Sequence, residues 1–438
     1  MKQHLRVQVL VFAAFFSVST MPARADAASI DDSIAAVAPA VLEWRRDFHR
    51  NPELSNREFR TSKIVAAHLR KLGLEVRTGI AHTGVVGILR GGQAGPVIGL
   101  RADMDALPVI EQTDLPFRSL AKAEYRGDTV GVMHACGHDV HTAVLMGVAQ
   151  VLAAARADLP GTVMFVFQPA EEGAPVGEQG GASLMIKEGL FADIKPEAMF
   201  GLHVMANLPA GLIGYRAGPF MAASDFFSIN VRGRQTHGAR PWGGVDPIVT
   251  SAQIINALQT IVSRQIDITE NPAIVTIGAI KGGVRYNIVP DEVEMLGTLR
   301  TFTGEQRKDI LERMERIAQN VALANGATAT LTVNPGNNPV TYNNPELTER
   351  ILPSLRAVAG ADQVKGLSLI TGAEDFAYYA KEIPSVFFFV GVTPRDQNPL
   401  AAPSNHSPLF FVDESAIPVA TRALTRVALD YLRGGATH

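Results

Sequence analysis

The 438-residue chain holds a single cysteine, Cys136, so no intrachain disulfide can form. A small disulfide scaffold is excluded, and whatever Cys136 contributes comes from packing or from thiol and thiolate chemistry. An excess of one charge is also missing: 40 Lys and Arg against 43 Asp and Glu leave a formal net charge of -3, with no sustained run of either sign. Neither a nucleic-acid groove nor an anionic membrane surface is indicated, which points to a small-molecule partner. After the first 25 residues, no segment offers the roughly twenty uninterrupted apolar residues that a membrane-spanning helix needs. With 47% hydrophobic and 19% charged side chains, the composition is that of a soluble globular protein with one large core or two modest ones.

The N-terminus reads as a secretory signal. Met1 to Arg6 is cationic, the apolar run Val7 to Val18 is too short to cross a bilayer comfortably, and Ala23-Arg24-Ala25 supplies the small-x-small cleavage pattern. Residues 1–25 are therefore set aside, and the mature protein is expected to be periplasmic or secreted, with no membrane association after cleavage. Free thiols are a liability in an oxidising compartment, so Cys136 needs a reason to be there.

Along the mature chain, Ile34 to Leu72 has apolar residues at helical spacing, broken at Asn51-Pro52 and stopped by Gly73, which predicts two helices. Val85–Leu89, Pro96–Leu100, Gly161–Phe167, Ala198–Leu202 and Ser385–Val390 are short apolar runs bounded by Gly or Pro, with long helical stretches such as His141–Ala157 between several of them. Strands apolar on both faces that alternate with helices predict an α/β fold with a covered, mostly parallel sheet. The middle of the chain differs. Phe226–Val231, Ala273–Ile280, Glu292–Thr301 and Ala327–Val333 read as strands, with helices over Asp246–Ser263 and Gly304–Asn325. That is a βαββαβ (ferredoxin-like) unit large enough to be its own domain. The expected organisation is a catalytic domain in two parts, residues 29–221 and 335–435, interrupted by an inserted domain over 222–334.

Polar clusters follow the apolar runs, where open α/β sheets bind ligands. Arg101-Ala102-Asp103-Met104-Asp105, Gln168-Pro169-Ala170-Glu171-Glu172-Gly173, His203 and Ser404-Asn405-His406-Ser407 lie at or beyond strand ends, and Met133-His134-Ala135-Cys136-Gly137-His138-Asp139-Val140-His141 precedes a helix. Cys136 and His138, two apart around Gly137, can turn onto one centre from a loop. With Glu172, His203 and His406 they offer one S, three N and at least one O donor, a set that suits Zn, Mn, Co or Ni and not Ca or Mg. Five ligands exceed what one tetrahedral catalytic ion uses, so two divalent transition-metal ions, roughly 3.5–4 Å apart with Cys136 as a bridge, are the economical reading. Glu171, beside ligand Glu172, is then placed to act as general base, and Asp105 or Asp103 to orient a ligating histidine. His134 and His141 read as surface or cap residues, Asp139 equally as a helix N-cap or as a carboxylate that orients a site residue, and His49 and Glu53 as structural. A cysteine hydrolase with Cys136 as nucleophile and His138 as base is the rival, and it leaves the glutamate pair and two distant histidines without a task.

The segments Trp44 to Ser55, Arg101 to Pro108, Met133 to Asp139, Gln168 to Gly173 and Thr371-Gly372-Ala373-Glu374-Asp375-Phe376 together resemble, in order and across the mature chain, the metallo-amidohydrolases that include hippurate hydrolase, bacterial N-acyl-amino-acid amidohydrolases and plant auxin-conjugate hydrolases. These are relatives of aminoacylase and glutamate carboxypeptidase. The resemblance implies a two-domain subunit with a di-metal site on Cys136, His138, Glu172, His203 and His406, Glu171 as general base and Asp105 as an active-site carboxylate. It implies homodimerisation through the inserted domain, with His237 reaching the neighbouring subunit's site to stabilise the oxyanion, and it associates Asn287 and Gly372 with binding the product carboxylate. Many relatives have two glycines before that histidine and a second histidine after the proline, where this chain has Gln235-Thr236 and Trp242. The implied activity is hydrolysis of a small N-acyl amino acid or conjugate, with a dipeptidase or carboxypeptidase on the same scaffold as the alternative.

Overall fold

The computed structural model of the protein describes residues 27–334 and 338–434, so the expected signal segment lies outside the described residues. Helices Ala27–Arg50 and Phe59–Lys71 flank the Asn51-Pro52 break. All five apolar runs expected as strands are strands of one eight-stranded sheet, in the order Glu75–Ile80, Gly84–Arg90, Pro160–Gln168, Gln93–Asp103, Ala198–Pro209, Ser385–Thr393, Ile213–Tyr215, Val364–Gly366. Pro160–Gln168, Gln93–Asp103, Ala198–Pro209 and Ser385–Thr393 run parallel to one another, and the flanking pairs include antiparallel contacts. The sheet is thus mostly parallel at its centre, with short edge strands that lack the apolar signal of a doubly covered strand.

Alternation along the central strands sorts side chains between two cores. Leu100, Phe165, Phe200 and Phe388 face one core with helices Ala27–Arg50, His138–Ala154, Pro345–Ala359 and Ala416–Leu432; Val166, Met199 and Phe387 face the other, beneath Gly181–Lys187 and Ala377–Glu382. The four parallel strands therefore have both faces covered, and their carboxyl ends are where polar groups collect.

A second sheet, of four strands in the order Ile274–Gly282, Glu292–Thr301, Ala223–Arg232, Thr328–Val333, has only antiparallel neighbours. It packs a core of its own against helices Pro247–Thr260 and Gly304–Ala324 through Ile229, Met295, Ile254, Leu258, Ile310 and Met314. The helix starts are written locally: Asp246 accepts from the Ile248 and Val249 N–H groups, and Thr303 from that of Gln306. Ile274, Ile280 and Leu296 on this sheet are exposed.

Candidate active site

The helix expected from His141 begins instead at His138, because Gly137 (φ 94°) turns the chain directly into it. A Cβ at Gly137 would lie 2.2 Å from Val204, so only glycine fits. Cys136 is thereby left on the incoming loop with His138 at the first helical position. His138 Nδ1 donates to Asp105 Oδ1 at 3.2 Å, and Asp105 Oδ2 also accepts from Ser55 Oγ (2.8 Å) and the Glu172 N–H (3.0 Å). That fixes the tautomer and aims the buried Nε2 at Glu171 (3.9 Å) and Glu172 (4.0 Å), where it has no hydrogen-bond partner.

His203 is fixed in the same way: its Nδ1 donates to the Val204 carbonyl at 2.7 Å, which leaves Nε2 facing Cys136 Sγ at 3.3 Å. His406, at φ 73°, puts Nε2 3.2 Å from Cys136 Sγ and 3.1 Å from Glu172 Oε1. Two groups of three donors result, Cys136–His138–His203 and Cys136–Glu172–His406, each with its ligand atoms within 4.8 Å of one another, and Cys136 belongs to both. The orphaned His138 nitrogen and the shared sulfur fit a pair of borderline cations. The electrostatics agree: burial and the Glu172, Glu171 and Asp103 carboxylates hold the Cys136 thiol well above its usual range, so a thiolate there requires a cation beside it. Burial opposes charge on His138, but Asp103, Asp105 and Glu172 outweigh it and raise it to about 10.

Residues 99–430, a span that includes all five candidate ligands, match the model of peptidase family M20/M25/M40. The chain belongs to that family. It is 38% identical to thermostable carboxypeptidase 2 of Saccharolobus solfataricus (92% of this chain, 98% of the relative) and 38% identical to the N-acetylcysteine deacetylase of Bacillus subtilis (89% and 96%). The solved Bacillus subtilis YXEP protein, described as a dinuclear metal binding peptidase of the M20 family, superposes with a TM-score of 0.74 at 35% identity, covering 91% of this chain and 99% of that one. This M20 protein is accordingly a metal-dependent hydrolase of the amidohydrolase and peptidase kind, acting on linear amides.

Beneath Glu171 lies a network that sequence reasoning did not anticipate. The fully buried Arg101 guanidinium donates to Gln168 (2.9 Å), Asp103 (2.6 Å), Glu374 (2.9 Å) and Asp375 (2.9 Å). Glu171, Glu374 and Asp375 have oxygens within 4.8 Å of one another. Burial and the Glu374, Glu172 and Asp375 charges push the Glu171 carboxyl well up, against the pull of Arg101. The available signal was an arginine inside an apolar run, since a buried arginine must be paired. Asn405 was also missed: it ties the His406 loop to the Cys136 and Val204 carbonyls at 3.1 and 3.0 Å.

Three readings are corrected. His141 is buried, neither surface nor cap: Nδ1 donates to Asp103 at 2.6 Å and Nε2 accepts from the Val204 N–H at 2.8 Å, so both nitrogens are committed. His134 is buried as well, and Asp139 does not cap the helix but pairs with Arg45 (3.0 Å) and His49 (2.9 Å). A cleft of about 1070 Å³ opens over the metal donors and Glu171, with Met221, Phe226, Phe389 and the cation Arg300 in its walls. Gly372 lines it, but a Cβ there would meet nothing closer than 3.7 Å, so no steric demand for glycine is evident. Exposed His237 and half-buried Asn287 sit together, the Gly238 N–H donating to the Asn287 carbonyl at 2.8 Å, and neither lines the cleft.

Proposed function

We propose that the protein hydrolyses the amide of N-acyl amino acids or similar small conjugates to a carboxylic acid and a free amino acid, with two divalent transition-metal ions (Zn, Mn, Co or Ni) held by Cys136, His138, Glu172, His203 and His406. The observation that carries this reading is the pair of donor groups sharing Cys136, with Glu171 on the same cleft wall. Such ions, when bound, polarise a carbonyl oxygen and acidify water. Glu171 takes the proton of the attacking water and delivers it to the leaving nitrogen. Asp105 holds His138 in the tautomer that leaves Nε2 available. Met221, Phe226 and Phe389 offer apolar surface to an acyl group, and Arg300 offers a cation to a substrate carboxylate.

A panel pairing N-acyl amino acids with dipeptides of the same sequence tests the substrate class by product chromatography. Turnover of the acylated series is expected to exceed that of free-amine dipeptides by more than about tenfold. The reverse order would assign a dipeptidase or carboxypeptidase activity, the one named for the Saccharolobus relative.

Residues 222–334 are proposed as an inserted lid and dimerisation domain between catalytic parts 29–221 and 335–435, after export directed by residues 1–25. Among the described residues no helix is long and apolar enough to cross a membrane. In support of a homodimer, Ile274–Gly282 is an edge strand with exposed Ile274 and Ile280, close in sequence to exposed Val284 and Tyr286. His237 then serves the partner's site, donating to the oxyanion. Mixing His237→Ala with Glu171→Gln, each inactive alone, should restore about a quarter of wild-type activity, because about half of the reassorted dimers are mixed and each has one complete site. No recovery after verified subunit exchange would remove His237 from the neighbouring site.

A further inference from the structure

Glu58 is buried, belongs to none of the groups above, and has a carboxylate with no task on its own helix. It stands at the N-cap of Phe59–Lys71, yet its side chain caps nothing there; Glu53 accepts from the Arg60 and Thr61 N–H groups instead, at 2.9 and 2.8 Å. The Glu58 carboxyl reaches 112 residues along the chain, where Oε1 accepts from the Ala170 N–H at 3.0 Å. The same oxygen accepts from the Asn56 N–H at 3.1 Å, and Oε2 hydrogen-bonds the Thr83 hydroxyl, which donates to a carboxylate and accepts from a protonated carboxyl.

Ala170 has φ 53°, a left-handed conformation that is unfavourable for an alanine and persists only where the surroundings impose it. Glu58 takes its N–H, and the chain at Gly180 and Gly181 passes so close that a Cβ there would come within 3.0 Å of its methyl group and 3.1 Å of its carbonyl oxygen. The next two residues are Glu171 and Glu172. The φ of Ala170 sets the direction in which the chain delivers Glu171 into the cleft, whereas Glu172 is also held through its N–H by Asp105.

We propose that Glu58 is a positioning residue that locks Ala170 in its left-handed conformation and so aims Glu171 at the reacting centre, an inference that rests on the role of Glu171 as general base. Burial and the nearby Asp105 charge raise the Glu58 carboxyl to about 8, so near neutral pH it carries a proton and glutamine is a close mimic. Glutamine keeps an acceptor for the Ala170 N–H and can donate to Thr83; methionine, of similar length, can do neither.

The test compares Glu58→Gln and Glu58→Met in the metal-loaded full chain with an N-acyl amino acid. Glu58→Met is expected to lower kcat by about 10- to 100-fold, the cost of a misplacement near 1 Å, with KM within about twofold and bound metal unchanged. Glu58→Gln should keep at least about half of wild-type kcat, and adding Glu58→Met to Glu171→Gln should cause little further loss. Equal losses in Gln and Met, a loss confined to KM or to metal content, or a full multiplicative loss in the double variant would overturn the proposal. If Glu58→Met does not fold, Glu58→Asp takes its place: one methylene shorter, it cannot reach the Ala170 N–H and Thr83 together, and an unchanged kcat would count equally against the idea. Should Glu171→Gln prove fully active, the general base is misassigned, whereas the Gln and Met comparison, read in the wild-type background, still decides whether Glu58 positions the loop.

Discussion

Glu171→Gln is expected to retain the fold and the bound metal while lowering kcat by about 10²–10⁴-fold, the span that a positioned general base contributes. The substitution is close to isosteric and leaves the metal donors untouched, since Cys136, His138, Glu172, His203 and His406 make up the two shared groups without it. It also removes an ionisable group from a crowded site, where Glu171 lies within 4.8 Å of Glu374 and Asp375 oxygens that already oppose its charge, so stability should hold or rise slightly. KM should change little, because the lost interaction is made as the proton moves and not as the substrate binds. Thermal unfolding, metal analysis and steady-state kinetics on one preparation separate these effects. Retained turnover would sink the assigned base; lost metal would show that Glu171 supports the ligand set instead.

Much of this site was legible in the chain, for physical reasons that differ by residue. Strands covered on both faces must be apolar, which made Pro160–Gln168, Gln93–Asp103, Ala198–Pro209 and Ser385–Thr393 visible. Donors at their carboxyl ends then stood out as polar groups where open sheets bind ligands, and the structure gathers Cys136, His138, Glu172, His203 and His406 there. Arg101 bridges to Glu374 over 273 positions, a pairing without any local signal. His134 and His141 read as surface residues because a lone histidine has no strong burial preference; only the packed helix shows that Asp103 and the Val204 N–H occupy both nitrogens of His141. The edge strands Glu75–Ile80 and Val364–Gly366 lack a continuous apolar run because solvent reaches them.

Cys136 is the residue whose loss should reach furthest, since it alone belongs to both the His138–His203 and the Glu172–His406 groups. Cys136→Ala is expected to lower bound metal and to reduce turnover by more than about 10²-fold, because a shared ligand supports both ions at once. The same sharing answers the hazard that the proposed export would pose to a free thiol. A ligated thiolate is much less available for oxidation or exchange, so thiol labelling should be slow in the loaded protein and faster after chelation. Equal labelling rates in the two forms would remove Cys136 from the centre.

Chelation followed by metal titration tests the central claim most directly. Stripped protein should be inactive towards N-acyl amino acids, and adding Zn, Mn, Co or Ni should restore hydrolysis up to a plateau near two bound ions per chain, about the stoichiometry of a bridged pair. Undiminished hydrolysis by protein that retains no transition metal would contradict it.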